Sequence, residues 1–160
     1  MEQGVSHLFH AANAMKSNIE IRELTAECKS LLDHIAPDVF DNDIIPEQLD
    51  AFLEDSRHQM FLAIDDNFVV GMASAFEYLH PDKQPQVFIN EVGVAPSHRR
   101  RGIGRRLVEA INTSARERGC DYAWLGTDAD NVSGNACFAS VPGASRLQPF
   151  VLYEWDLEDL

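Results

Sequence analysis

Three arginines and two glycines stand between a short apolar strand and an amphipathic helix, in the segment from Val92 to Leu107. Five of the thirteen lysine and arginine residues lie in this segment, although the formal net charge of the chain is −13. The first N–H groups of a helix have no partner within it, and the helix dipole is positive there, so this position favours an anion. The spacing predicts an anion-binding loop, with pyrophosphate as the best-fitting ligand.

The two glycines, Gly102 and Gly104, would let a ligand approach the backbone because they carry no Cβ. The alternative is a basic helix start exposed to water, although the helix dipole disfavours arginine at that end. The preceding strand, the following helix and the local charge together favour the ligand-binding interpretation.

An ionisable side chain, Glu91, interrupts the nearly apolar strand predicted for 87–94. Burying a carboxylate without a partner is costly, and burial raises its pKa towards the range of a general base. Glu91 is therefore the candidate catalytic base. The alternative is a carboxylate that faces solvent or pairs with an arginine.

Strands and helices alternate along the rest of the chain. Apolar periodicity and turn residues predict strands at 19–24, 61–64, 68–72 with a continuation towards Tyr78, 87–94, 122–126 and 150–155. Helices are predicted from 25 to about 35, from 46 to about 54, from 103 to 118 and from 131 to 140. The order predicts a mixed α/β sheet in which 87–94 is a central strand.

Length and composition predict one domain at 19–160, preceded by a loose extension at 1–18. The acidic charge argues against a nucleic-acid partner and fits a cationic substrate, although it also simply favours solubility. Three widely spaced cysteines suggest reduced thiols in the cytoplasm. We expect no membrane segment, no signal peptide and no metal.

The pattern Arg99-x-x-Gly102-x-Gly104 after a strand resembles the signature of the GNAT superfamily of N-acetyltransferases, and the order of elements from about Ile19 to Leu157 resembles that family's order. The resemblance implies the GNAT acyl-CoA N-acyltransferase fold, in which two central parallel strands splay apart. It also implies acetyl-CoA as co-substrate, with its pantetheine arm in the gap.

A narrower likeness covers Phe61 to Leu107 and resembles the type I aminoglycoside 3-N-acetyltransferases and their relatives. It is carried by 61–64, 69–71, Tyr78 with Pro81, 89–94 and 98–103. The resemblance implies direct transfer of acetyl to a primary amine of a small cationic substrate, with an aminoglycoside as the leading candidate.

Residue roles also follow from the resemblance. It implies that Glu91 faces the acceptor and that the Gly93 N–H polarises the thioester carbonyl, although a bulge or close packing would equally explain this glycine. Backbone groups of the strand end and the basic loop would bind CoA, with arginine side chains adding charge. These residues are Val92, Val94, Arg99, Arg100, Arg101, Gly102, Ile103, Gly104 and Arg105.

The helix predicted at 131–140 departs from the family pattern, because Ala139 stands where a tyrosine commonly acts as general acid. A thiolate leaving group makes transfer possible without that acid. Cys137 and Phe138 are expected to line the CoA face. Asn131 and Asn135 would bond the pantetheine amides, with a helix N-cap as the other role for Asn131.

A cluster of carboxylates at loop and strand ends is expected to bind the acceptor. It comprises Asp41, Asp43, Asp128 and Asp130 together with Glu91, and Tyr78, Glu77 and His80 would form a further wall. Two rival functions remain: acetylation of a protein or peptide, and a catalytically weak CoA-binding regulatory module. The apolar stretch at 150–155 predicts a homodimer, because a terminal apolar strand needs a cover.

Overall fold

The computed structural model describes residues 18–145 and 151–158. The extension expected at 1–18 lies outside these residues except for Asn18. Phe150, where the last strand was predicted to begin, also lies outside them.

Five strands form one sheet in the described part of the chain, in the order β1-β2-β3-β4-β5. They are β1 (Glu20–Glu23), β2 (His58–Asp65), β3 (Phe68–His80), β4 (Lys83–Val94) and β5 (Tyr122–Trp124). Strands β1 to β4 pair antiparallel with their neighbours, whereas β4 and β5 are parallel. Parallel neighbours need a crossover connection, and here a helix supplies it. The predicted mixed α/β architecture is confirmed.

Three α-helices accompany the sheet in the described residues: α1 (Pro46–Glu54), α2 (Ile103–Glu117) and α3 (Val132–Ala139). Short 3-10 helices occupy Ala26–Asp33 and Pro96–His98. The helix predicted from 25 to about 35 is thus present as a 3-10 helix, with Cys28 in a non-helical backbone conformation within it. None of the helices described is long and apolar enough to cross a membrane.

The sheet separates two hydrophobic cores. On one face, α2 packs Leu107 and Ile111 against Ala73 and Val87 of the central strands. On the other face, the first 3-10 helix and α1 cover a second cluster that includes Leu62 and Met72. The strands β2 and β3 thus send buried side chains to both faces, as expected for strands covered by helices on both sides.

The parallel strands β4 and β5 separate after a short contact. They pair only where Gln86–Phe88 of β4 meets Tyr122–Trp124, while β4 runs on to Val94. Among the described residues no strand pairs with 89–94 on the β5 side. The predicted splay between central parallel strands is therefore present, and it leaves backbone groups of β4 open for a ligand.

Two strand predictions in the C-terminal part of the chain are wrong. Strand β5 is shorter than the predicted 122–126 and is not buried: Tyr122 and Trp124 are 44% and 42% exposed, because they lie at the open edge of the described sheet. Residues 151–155 form no strand, and their large apolar side chains are exposed. Apolar composition favours a strand but does not by itself provide the pairing that makes one.

Candidate functional site

A β-bulge in β4 brings Glu91 to the face of the sheet covered by α1. Ser74 of β3 pairs with Glu91 and Ala75 pairs with Ile89, so Asn90 is the extra residue. Ile89 packs in the core beneath α2, and regular alternation would place Glu91 on that same side. The bulge reverses this orientation, and the Ser74 hydroxyl donates to Asn90 Oδ1 at 3.0 Å.

Glu91 lines a cavity of about 320 Å³ together with two carboxylates from the loop before α1, Asp41 and Asp43. Burial raises the pKa of Glu91 above its ordinary value, and the negative charge of Asp41 raises it further. A carboxylate with a raised pKa beside a cavity is suited to exchange a proton with a bound molecule. Three predicted acceptor residues therefore meet in one place.

Gly93 lies two residues after Glu91 on β4, against the loop that carries Asp41. A Cβ at Gly93 would overlap the backbone carbonyl oxygen of Val39, a fully buried residue. Close packing therefore requires glycine at this position, which was the alternative explanation considered from the sequence. The contact holds the 39–43 loop against β4, next to Glu91.

The basic loop has the backbone geometry of an anion site. Arg100 and Gly102 both adopt left-handed conformations, with φ of 65° and 75°. Gly102 occupies the N-cap of α2 without a side-chain cap, and the first helical bond runs from Arg106 N–H to the Gly102 carbonyl. The N–H groups of 103–105, including that of the buried Ile103, thus remain available to a ligand.

The arginines of this loop differ in their hydrogen-bond and ion-pair partners. Arg99 donates to the Val94 carbonyl at 3.0 Å, and Arg101 donates to the Ser97 carbonyl at 3.2 Å. Arg105 pairs with Glu109 at 2.7 Å, and Arg106 donates to the Ile19 carbonyl at 2.8 Å. Arg100 is exposed and has no hydrogen-bond or ion-pair partner among the described side chains and backbone, so it is the arginine most available to a phosphate.

The start of α2 packs against α3 through Gly104. A Cβ at Gly104 would lie 2.9 Å from Cys137 Sγ and would also approach Val92 and Val94. Glycine at this position therefore allows α2 and α3 to pack closely, in addition to any role in letting a ligand approach the backbone. Burial raises the pKa of the Cys137 thiol. Phe138 is half-buried and packs against the core cluster beneath α2.

The two asparagines of α3 bond within their own loop. Asn131 caps the helix, since its Oδ1 accepts from the Gly134 N–H at 2.9 Å. Asn135 Nδ2 donates to the carbonyls of Asp128 and Asn131, at 2.9 and 2.8 Å. Ala139 is the exposed last residue of α3.

The remaining predicted acceptor residues do not meet Glu91. Asp128 and Asp130 are exposed in the loop between β5 and α3 and do not line the cavity. Tyr78 lies at the opposite end of the β3–β4 pair, where its hydroxyl donates to Gln86 Oε1 at 2.5 Å. Glu77 and His80, which were expected to form a further wall of the acceptor site, have other partners. Glu77 pairs with Arg118, and His80 pairs with Asp82 in the hairpin turn.

Sequence reasoning missed the apolar part of the cavity. Phe40, Ile45, Phe52 and Met60 line it together with the carboxylates. Only Phe52 lies within the helix predicted from 46 to about 54, and no motif in the sequence singled out the other three residues. Among the described residues, no cluster of His, Cys, Asp and Glu side chains is arranged to hold a metal.

Comparison with known proteins agrees with this architecture. The model of the acetyltransferase (GNAT) family matches residues 19–141, from β1 to the residues after α3. That match covers more than half of the chain, and the chain belongs to the acetyltransferase (GNAT) family.

Two curated relatives and one solved structure illustrate the likeness. An aminoglycoside N(6′)-acetyltransferase type 1 from Salmonella typhimurium is 31% identical over 45% of this chain and 52% of its own length. A streptothricin acetyltransferase from Streptomyces lavendulae is 33% identical over 54% of this chain and 43% of its own length. The chain thus matches about half the length of these relatives.

The structure of AAC(6′)-Iy with a bisubstrate analogue, CoA-S-monomethyl-acetylneamine, has a TM-score of 0.71 and 22% identity. The match covers 88% of this chain and 99% of that one. At this identity the likeness shows the fold. The narrower resemblance to 3-N-acetyltransferases is not supported, because the similar aminoglycoside enzymes that specify a position are of the 6′ type.

Proposed function

We propose that this chain transfers an acetyl group from acetyl-CoA directly to a primary amine of a small cationic substrate, with an aminoglycoside as the leading candidate. The observation that carries the proposal is the position of Glu91. Its carboxylate lines an acidic cavity, on the strand whose β5-side edge is open and which leads into the uncapped N-terminus of α2. The names of the curated relatives support an aminoglycoside or related antibiotic as acceptor.

Glu91 acts as the general base in this proposal. A primary ammonium has a pKa of about 10 and must lose a proton before its nitrogen can attack. The raised pKa of Glu91 makes its carboxylate a better proton acceptor, and Asp41 and Asp43 hold the cation beside it. In the transfer, the nitrogen–carbon bond forms and the carbon–sulfur bond breaks. The ammonium's first proton goes to Glu91, the second to the leaving sulfur and the third stays on the amide.

The open edge of β4 and the basic loop bind the co-substrate. Acetyl-CoA supplies the activated acyl group, so the protein mainly positions the two substrates and accepts the proton. Backbone N–H groups of 103–105 bind the pyrophosphate, and Arg100 adds a charged contact. Unpaired backbone groups at 92–94 bond the pantetheine arm and polarise the thioester carbonyl. No tyrosine stands at Ala139, so the sulfur leaves as a thiolate and takes its proton from the amine through water.

Thiol release from acetyl-CoA tests the activity across aminoglycosides, streptothricin, polyamines and short peptides. We expect turnover with at least one aminoglycoside or streptothricin, and a loss of about 100-fold or more in kcat/KM in Glu91→Gln. Calorimetry should show that the same variant still binds acetyl-CoA. Turnover with peptides alone would favour a peptide acetyltransferase. Binding of acetyl-CoA without turnover by any acceptor would favour a regulatory module.

We also propose that two copies of this chain associate through exposed apolar side chains of β5 and of the terminal segment 151–157. Tyr122 and Trp124 are exposed on β5, and the large apolar side chains of the terminal segment are exposed as well. Large exposed apolar side chains are typical of an interface when they form a patch. The molar mass in solution, measured over a dilution series, should fall from that of two chains towards that of one as the protein is diluted. A mass of one chain at every concentration would contradict the proposal.

A further inference from the structure

The cavity beside Glu91 is lined by two chemically different sets of side chains. The polar set contains the carboxylates of Asp41, Asp43 and Glu91 and the amides of Asn42 and Gln48, and no basic side chain lines the cavity. The apolar set includes Phe40, Ile45 and Phe52. A site shaped only for a hydrophilic polyamine would not require the apolar set.

The apolar lining of the cavity is not part of a sealed core. Ile45 is 57% exposed at the N-cap of α1, and Phe40 and Phe52 are half-buried. Phe52 continues into a row of rings along the sheet face, with 5.1 Å between its centroid and that of His58 and 6.0 Å from His58 to Phe76. Apolar surface held open to water next to a reactive carboxylate is stabilised when a ligand covers it.

The carboxylates of the cavity favour a cation. Because the charge of Asp41 raises the pKa of Glu91, the two carboxylates repel each other in the empty cavity. An ammonium group placed between them would relieve this repulsion. The body of the bound molecule would then extend from the carboxylates onto Ile45 and Phe52.

We propose that the acceptor is an amphiphilic amine, with an apolar, poorly hydroxylated body next to the reacting nitrogen, and that Ile45 is a specificity-determining residue. The inference rests on the proposed function, since it concerns the acceptor cavity of that reaction. Among aminoglycosides it predicts a preference for sugar rings that lack hydroxyl groups near the amine. A hydroxyl placed against an apolar wall loses its hydrogen bonds to water without replacement.

Matched amines test the preference at constant charge. Kanamycin B, tobramycin and dibekacin carry the same amino groups and lose ring hydroxyls in that order. We expect kcat/KM to rise along the series, by about tenfold from first to last. Calorimetry in the presence of CoA adds a comparison that needs no turnover: hexylamine should bind more tightly than 2-(2-aminoethoxy)ethanol, which is of similar length.

The variant Ile45→Ser should remove both preferences: the rise of kcat/KM along the aminoglycoside series and the tighter binding of hexylamine. Serine is a favourable N-cap residue, so the start of α1 should remain folded. The matched control is Leu79→Ser, because Leu79 is equally apolar and 68% exposed but does not line the cavity. It should leave both preferences unchanged.

Equal kcat/KM across the aminoglycosides with equal binding of the two simple amines would overturn the inference and leave the proposed function intact. An unchanged preference in Ile45→Ser would overturn the role of Ile45. Tight acetyl-CoA binding without turnover of any amine would instead overturn the proposed function, whereas the comparison of amine binding would still test the inference.

Discussion

His98 Nε2 lies 3.0 Å from Asp65 Oδ2, and this pair joins the loop before α2 to the turn between β2 and β3. Both side chains are only 18% exposed. The other ring nitrogen, Nδ1, lies 2.8 Å from Ser97 Oγ. The histidine thus fixes the backbone immediately before Arg99, at the start of the basic loop. Neither of these two contacts occupies a backbone N–H group of the loop.

Removing this pair should weaken acetyl-CoA binding more than catalysis. In His98→Ala we expect KM for acetyl-CoA to rise by about tenfold while kcat stays within about twofold, because a looser loop pays an ordering cost on binding. The control is His80→Ala, whose histidine pairs with Asp82 in an exposed hairpin turn. Steady-state kinetics at saturating acceptor measure both constants, and an equal change in kcat would contradict a positioning role.

The acidic limb of the pH profile should respond to Asp41. Since the Asp41 charge raises the pKa of Glu91, Asp41→Asn should lower that pKa and move the acidic limb of kcat/KM to lower pH. Asp43→Asn is the matched control, because Asp43 lines the same cavity but is not a cause of the shift. A limb that stays in place in Asp41→Asn would show that another group sets it.

Glu91→Gln should be more stable than the wild type at neutral pH. The folded state raises the pKa of Glu91 above the ordinary 4.5, so the folded protein holds this proton more tightly than the unfolded chain. Wild-type stability is therefore lost as pH rises from about 4.5 through the folded pKa, and glutamine escapes this loss. Urea unfolding at several pH values should show no advantage below that window and a constant one above it.

Two glycines with positive φ allow the effect of backbone strain on stability to be distinguished from an effect on acetyl-CoA binding. Gly102 and Gly119 have φ of 75° and 91°, and a Cβ would meet no atom within 4 Å at either position. Alanine at either site should therefore cost about 1–2 kcal/mol of unfolding free energy through backbone strain alone. Only Gly102→Ala, at the N-cap of α2, should also raise KM for acetyl-CoA. Equal KM values in the two variants would remove Gly102 from the binding site.

Arg100 should contribute a charged contact to the co-substrate. We expect Arg100→Gln to raise KM for acetyl-CoA by about tenfold, the usual loss for one exposed charged hydrogen bond. Arg116→Gln, at the far end of α2, is the control of equal charge change. Repeating the measurement with acetyl-3′-dephospho-CoA identifies the phosphate: the difference between variants disappears if Arg100 binds the 3′-phosphate.

The sequence predicted the parts of the site that depend on local chemistry. The basic loop, the start of α2 at Ile103 and the strand containing Glu91 follow from glycine, charge and apolar periodicity within a few residues. The break between the strands predicted at 61–64 and 68–72 contains Asp66 and Asn67, both in left-handed conformations that their residue types tolerate.

Long-range contacts could not be predicted in this way. The bulge at Asn90 depends on how β3 and β4 align, and it decides on which face Glu91 lies. The seating of Val39 against Gly93 brings together residues more than fifty positions apart. The prediction of a final strand failed for the same reason, because apolar residues favour a strand without determining whether the segment pairs with the sheet.

The two halves of the site come from separate stretches of chain. Apart from Glu91, the cavity wall is drawn from the residues between Leu32 and Met60, whereas the anion-binding loop lies between Val94 and Arg106. If the proposed function holds, substitutions in the first stretch should change which amine fits without altering how the nucleotide end of the donor is held. Such a division would make the acceptor range open to rapid divergence and to directed evolution, at little risk to donor use.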